Sequence, residues 1–550
     1  MKKIIFILVT FISILISCDD YVDVNTDPNR LFANQIGPNK LLPAAQVGAY
    51  ATQATIMNTL GNVFMNSWAP NVQSFTGGYT RETQLIIDNT FYQAIFNNIY
   101  LNVSNLQTII DLPNADHKND NFVIAAKVLK AYYMQFIVDL YGDAPYTETF
   151  KKLANPTPKY NDDQFIYRQL LKELDEARTL IAAQNGDATD IASFDVMFKG
   201  NMSTWEKFAN TVELKYLVRM SKSTGAVATY RDARIAALPQ NFILTFVSIN
   251  PGYEYGTTTQ LNPFFSTYAG DNAGNTVQNW AFIAPSGHFY KALNKYSRYP
   301  STNNSTQIIS SSAIDYPNLD DPRRGRLFRR GAGQGYVRAV TQGQTAVDMF
   351  DTSLGQVKGI AARQGIGVFN PYNQNPDIVG GQDVLDYSGK VDGYLMTTSE
   401  IEFLLAEAAH IGYVGFTDAQ LHFDAGINAS MAYLGASAGT YIDDINLKPN
   451  FGYAVGNYDE KYHAIMYQKW VGLMSINGIE SFIDYNRTGY PLTPLAIGAS
   501  QPRKPKRLIY PSQEYTANSN NVPNITPVEI FATSHPSHPF WMLGNPVLGN

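Results

Sequence analysis

Apolar residues recur at helical spacing through residues 40–240 of the 550-residue chain, and this period is the first signal of its fold. In NFVIAAKVLKAYYMQFIVDLYGDAPY, Phe122, Ala125, Ala126, Leu129, Tyr133, Phe136, Ile137 and Leu140 share one face, which predicts a long amphipathic helix. Gly142 follows its last apolar turn and Pro145 lies just beyond, both stop signals. YNDDQFIYRQLLKELDEARTLIAAQNG predicts a second helix. Asn161 or Asp162 caps it, Ile166, Leu170, Leu174, Ala177 and Ile181 form its buried stripe, and Gly186 ends it. FYQAIFNNIYLNVSNLQTII and STWEKFANTVELKYLVRMSK follow the same pattern. Short connections between such helices favour antiparallel neighbours.

The texture changes at about residue 241. NPGYEYGTTTQLNPFFSTYAGDNAGNTVQNW and GAGQGYVRAVTQGQTAVDMF are rich in Gly, Asn, Thr and Tyr and lack a helical period. Long irregular stretches inside a compact protein are usually functional loops. Helical patterns return at TTSEIEFLLAEAAHIGYV, LHFDAGINASMAYLG and EKYHAIMYQKWVGLMSI, before a Pro-rich, loop-like tail. The expectation is one mostly α-helical domain over 40–550, with a loop-rich ligand-binding insertion at 241–390.

The N-terminus has a different logic. Lys2 and Lys3 precede an uncharged apolar run from Ile4 to Ile16. That run is shorter than the roughly 20 residues a membrane span needs, and it fits a signal peptide over 1–17. Leu15-Ile16-Ser17-Cys18 resembles the lipobox of bacterial lipoproteins. The resemblance implies that Cys18 is diacylated, with chains such as palmitate, and that the chain is cut before it; two or three fatty chains make a stable anchor. Residues 18–39 then read as a polar arm leading off the membrane. Asp23, Asn25 and Asp27 are spaced like the start of a calcium loop, but Pro28 stands where Gly is needed and Asn34 where Glu is needed, so a linker fits better. Cys18 is the chain's single cysteine. A mature domain without other thiols has no disulfides, thiol catalysis or Cys-ligated metal. A formal charge of -6 with no basic stripe argues against nucleic acid as a partner.

Signals of catalysis are missing. None of the seven His lies in an HExxH arrangement, and the closest pair, His535 and His538, sits among prolines in a tail turn. GASAG at 435–439 matches G-x-S-x-G only as a string, because it follows a helical pattern rather than the strand of a nucleophile elbow, and no GxxxxGK[ST] phosphate loop occurs. GAGQG at 331–335 follows Arg329-Arg330 rather than a strand and reads as a flexible loop. A glycosidase needs two suitably spaced carboxylates, which composition cannot exclude. Helical pairs such as Glu402 and Glu407, or Glu173 and Glu176, read as solvated faces or caps. The chain is expected to be non-catalytic and to need no cofactor.

A binding role has positive support. Aromatic residues make up 13% of the chain, with 35 Tyr; most such residues fill cores, and a surface subset is expected to stack on flat ligands such as sugar rings. Sugar rings pack their C–H faces on aromatic rings, and their hydroxyls need a few placed polar partners. Two loop stretches offer that mixture. NSWAPNVQSFTGGYTRETQ (66–84) supplies Trp68, Gln73, Tyr79 and Arg81; YAGDNAGNTVQNWAF (268–282) supplies Asp271, Asn272, Asn275 and Trp280. Trp205 and Trp470, within helical patterns, are expected in the scaffold, and Arg487 in a structural ion pair.

DLYGDAPYTETF (139–150) followed by TPKYNDDQFIYRQLLKELDEA (157–177) resembles the signature of the SusD/RagB-like outer-membrane lipoproteins. Other blocks agree in order. GNMSTWEKFANTVELKYLVRMS (200–221) is similar to the family's Gly-Asp-x-x-x-Trp helix, with Asn201 in place of the usual Asp. Asp321-Pro322-Arg323, SEIEFLLAEAAHIGYV (399–414) and YQKWVGLMSINGIESFIDYNRTGYP (467–491) match further family blocks. The resemblance implies four divergent tetratricopeptide-like helix pairs, although no 34-residue repeat is visible in the chain. It also implies a lipid-anchored protein on the outer face of the outer membrane. Such a protein captures glycans, without cleaving them, for a TonB-dependent SusC-like transporter. DDYVD after Cys18 resembles a surface-export signal. An oligopeptide ligand on the same fold, a surface glycan hydrolase, and a scaffold that only holds the transporter complex together are the alternatives.

Overall fold

The computed structural model describes residues 36–72, 75, 77–254, 260–273, 275–295, 314–329, 339–344, 363–364 and 391–543. The leader and Cys18, Gln73, GAGQG and much of the 241–390 insertion lie outside the described residues. The helices that frame the first half are α1 (Pro38–Thr52), α2 (Asn58–Phe64), α3 (Gln93–Ile110), α4 (Asp120–Tyr141), α5 (Asp163–Ala183) and α6 (Met202–Arg219). Beyond residue 391 come α7 (Thr398–Ile411), α8 (Ala419–Leu434), α9 (Tyr458–Leu473) and α10 (Gly478–Thr488). Sequential helices pack pairwise, α3 on α4, α5 on α6 and α7 on α8, while α10 returns to pack on α2. The chain is mostly α-helical, and its helices stack as successive pairs, in keeping with the tetratricopeptide-like expectation. Among the described residues no helix is long and apolar enough to cross a membrane.

Local chemistry explains where the helices begin. Asp162 accepts the Phe165 N–H at 3.0 Å, Asn201 that of Thr204 at 3.0 Å, and Thr397 that of Glu400 at 3.1 Å. These side chains satisfy donors a helix start leaves open. Asn201 thus performs the capping that Asp would perform in the family block. Asn457 and Glu460 form a reciprocal box at α9. Asn161 is not the cap of α5; it accepts from the Thr147 N–H at 2.9 Å, across the Ala144–Pro145/Tyr160–Asn161 ribbon. The same helix stops at Gln184, whose φ of 47° turns the chain before Gly186 is reached.

Helix α4 differs from its expected single stripe, since its residues are buried on nearly every side. Neighbours α1, α3, α5 and α6 surround it, so its polar face turns inward too. Asp139, on that face, accepts from the Trp541 indole at 2.8 Å and from Arg219 Nε at 3.1 Å, and also takes the Tyr167 hydroxyl. Around it lies a buried ionic cluster. Lys215 meets Glu480 at 2.5 Å, Arg219 meets Glu480 and Asp484 at 2.8 and 2.9 Å, and Lys469 meets Asp484 at 2.6 Å. Arg487 binds Glu407 at 2.5 Å and Asp484 at 2.9 Å, the structural role expected of it. Glu407 is therefore no solvated helix face: both it and the Arg487 side chain are completely buried. Trp205 and Trp470 are core residues, and the Trp205 indole donates to Asp195 at 2.8 Å.

Candidate ligand-binding site

Two strands bring the two candidate loops together. β1 (Trp68–Pro70) pairs antiparallel with β2 (Ile283–Pro285), placing Trp68 opposite Pro285 and Pro70 opposite Ile283. Asn71 extends the junction. Its backbone N–H donates to the Phe282 carbonyl and its side-chain amide to the Ala281 carbonyl, both at 2.7 Å. Residues 66–84 and 268–282 thus leave the ribbon side by side.

Beyond the ribbon the junction is aromatic. The Phe75 ring stacks on Phe282, with centroids 4.2 Å apart and planes 11° from parallel. Tyr79 approaches Phe75 edge-on at 5.9 Å. Gly78 makes the stack possible, since a Cβ there would lie 2.0 Å from a Phe75 ring carbon. Trp280 lies on the helical turn Gln278–Phe282, half-buried next to this pair in sequence. Burial pushes the Tyr79 phenol well above its ordinary value, so its hydroxyl stays protonated and able to donate.

The remaining expected contacts divide. Trp68 offers no ligand face: it is completely buried, its indole donates to Ser475 Oγ at 2.9 Å, and its ring meets Tyr268 edge-on at 5.3 Å. As a residue of β1 it braces the junction from below. Arg81 is committed within the chain, to Asp88 at 2.6 Å and Thr90 at 3.1 Å, with its guanidinium over the Phe91 ring. Asp271 shapes its own loop by accepting the N–H groups of Ala273 and Asn275 at 2.9 and 2.8 Å, and Asn275 Nδ2 reaches back to it at 3.2 Å. Asn272 is half-buried in the same turn. Phe75 and Phe282 belong to the same two loops, but nothing in the chain distinguishes them from core-filling phenylalanines. The Gly77-Gly78 pair beside Phe75 is the local signal for a close approach.

Among the described residues, one set of carboxylates could suit a metal. Oxygens of Asp143, Asp162 and Asp163 lie within 4.8 Å of one another. All three carboxylates are already engaged in the fold. Asp163 accepts the Phe540 N–H at 2.7 Å, Asp143 accepts the Asp163 N–H at 3.1 Å, and Asp162 caps α5. Burial raises the Asp163 carboxyl well above the usual range, which accommodates the crowding by protonation.

The chain belongs to the SusD-like family: the family described as "Starch-binding associating with outer membrane" matches residues 28–511. Solved structures agree. A chitin-binding SusD homologue from Flavobacterium johnsoniae is 22% identical, with a TM-score of 0.64, over 93% of this chain and 99% of that one. A Bacteroidetes SusD-like protein gives 21% identity and a TM-score of 0.65 over 88% and 96% of the two chains. A SusD homologue from Bacteroides fragilis gives 18% and 0.64 over 93% and 100%. No curated protein matches the chain.

Proposed function

We propose that this protein is a lipid-anchored capture protein of the outer membrane, facing the cell exterior. It binds oligo- or polysaccharide without cleaving it and passes it to a SusC-like TonB-dependent transporter. The observation that carries the reading is the convergence of two aromatic loops at the β1/β2 ribbon, with Phe75 stacked on Phe282, Tyr79 edge-on to Phe75, and Trp280 on the same helical turn as Phe282. Flat, partly exposed rings with a few polar neighbours suit the C–H faces and hydroxyls of sugars. Family membership supports the location and the ligand class, and chitin fragments head the candidates because chitin binding is described for a structurally similar protein.

The test uses native affinity gels of the purified chain against chitin fragments, starch, cellulose derivatives and xylan, with chromatography of the same mixtures. Retardation by a polysaccharide without released sugar supports capture. Release of small products would turn the reading to a surface hydrolase. Retardation by none of them, with binding of mixed oligopeptides, would turn it to the peptide-binding alternative.

A further inference from the structure

An opening that shares no residue with the loop junction lies against helix α9. It holds about 160 Å³, and its walls are mostly rings: His288, Tyr316, His463, Tyr467, Trp470 and Tyr490. Helix α9 supplies three of these from successive turns, and the helical turn Gly287–Ala292 supplies His288. The rings brace one another, His463 against Tyr490 edge-on at 4.9 Å and His288 against Trp470 at 5.3 Å.

Most polar atoms of these walls are committed. The Tyr467 hydroxyl donates to the Ala292 carbonyl at 2.8 Å. His463 Nδ1 lies 2.5 Å from the Asn450 carbonyl, which can only accept, so the proton sits on Nδ1. His288 Nδ1 lies 2.8 Å from the Tyr316 hydroxyl. Burial lowers both imidazoles, His288 to about 3, so neither brings a charge at neutral pH.

Two nitrogens of these wall residues are buried and have no hydrogen-bond partner among the described residues: Trp470 Nε1 and His288 Nε2. Trp470 is only 2% exposed. Buried polar atoms are satisfied in the great majority of cases, and an indole N–H can do nothing but donate. Two unsatisfied nitrogens on residues that line one ring-walled cavity match a guest that carries oxygen and has an apolar face.

We propose that this opening is a saccharide pocket in its own right. It takes one neutral pyranose unit, with the C–H face of the sugar against the ring wall and a sugar oxygen accepting from the Trp470 indole. The two loop-junction rings play no part in it, so the pocket stands or falls separately from the capture surface.

The test is a titration of the full chain, labelled with 15N at its five Trp, against N-acetylglucosamine and, separately, glucose. Each indole signal is assigned by its loss in the matching Trp→Phe variant. The Trp470 signal is expected to move saturably with one of the sugars while those of Trp68 and Trp205 stay in place. Trp470→Phe keeps a ring and removes the donor, and should weaken that binding roughly three- to tenfold. Leu492→Arg, at the half-exposed rim, blocks the opening without touching the core and should abolish the Trp470 response. A Trp470 signal that stays fixed with both sugars overturns the pocket. Movement of the Trp280 signal alone does the same and leaves the capture reading standing.

Discussion

Arg487 and Glu407 form a doubly bonded ion pair, at 2.5 and 3.0 Å, with neither side chain exposed to solvent. The pair ties the last long helix, α10, to α7. The Tyr462 hydroxyl closes the arrangement by donating to Glu407 at 2.6 Å. The wider cluster joins Lys215, Arg219, Lys469 and Arg487 to Asp139, Glu400, Glu407, Glu480 and Asp484. Glu400 is the most loosely paired of the five carboxylates, 3.6 Å from Lys215, and burial raises its pKa.

Removing one member of that pair leaves the other charge buried alone. Arg487→Met should destabilise the protein by about 3–5 kcal/mol, the usual cost of orphaning a buried charge. The double variant Arg487→Met, Glu407→Leu should recover much of that loss, because two apolar side chains need no counter-ion. Urea denaturation of the two variants and the parent checks both signs. Equal stability of single and double variants would show that Glu407 is not left as an uncompensated buried charge when Arg487 is removed, the Tyr462 hydroxyl sufficing for it.

Lys504 gives a pH dependence of definite sign. It is buried, donates to the Thr493 carbonyl and hydroxyl, and has its pKa lowered to about 7, first by burial and then by Lys506. Unfolded, it titrates near 10.4. Between pH 7 and 10 the unfolded chain therefore holds a proton the folded chain lacks, and this residue's contribution to stability rises with pH. The increment approaches about 1.4 kcal/mol per pH unit in mid-window. Lys504→Met should flatten the stability profile between pH 7.5 and 9.5 relative to the parent. Parallel profiles would show that Lys504 stays charged in the fold.

Trp68 and Trp280 should separate cleanly by mutation. Trp68→Ala empties a fully buried site and removes the partner of Ser475, so it should cost about 3–5 kcal/mol of stability. Trp280→Ala and Phe75→Ala should leave the melting temperature within a few degrees and weaken glycan binding roughly tenfold each. Calorimetric melting alongside affinity gels reads both quantities. Unchanged glycan affinity in the Trp280→Ala, Phe75→Ala double variant would remove the loop junction from the binding site.

These contrasts also mark how far the chain can be read before it is folded. Helices α4, α5 and α6 are legible because apolar period, caps and stop signals act within a few residues of one another. Glu407 is illegible for the opposite reason. Helical spacing leaves it looking solvated, and its burial depends on Arg487, which is eighty residues away. Trp68 fails in the same way: its loop is correctly placed at the junction, but pairing of β1 with β2 turns its ring inward. The Phe75–Phe282 stack requires that same pairing across some two hundred residues, and no local period encodes it.

Gly77 and Gly78 allow the junction to be tested without removing any ring. Gly77 has φ of 75°, and a Cβ there would touch nothing closer than Thr80 Oγ1 at 3.6 Å. Gly77→Ala therefore strains only the backbone, by about 1–2 kcal/mol, and should leave glycan affinity unchanged. Gly78 needs no left-handed backbone, yet its Cβ would fall 2.0 Å from the Phe75 ring. Gly78→Ala must push that ring off Phe282, so it should lower affinity about as much as Phe75→Ala while the helical core melts as before. The two neighbouring substitutions predict opposite outcomes in one binding assay. Loss of affinity in Gly77→Ala alone would mean that loop backbone, and not the stacked ring pair, meets the ligand.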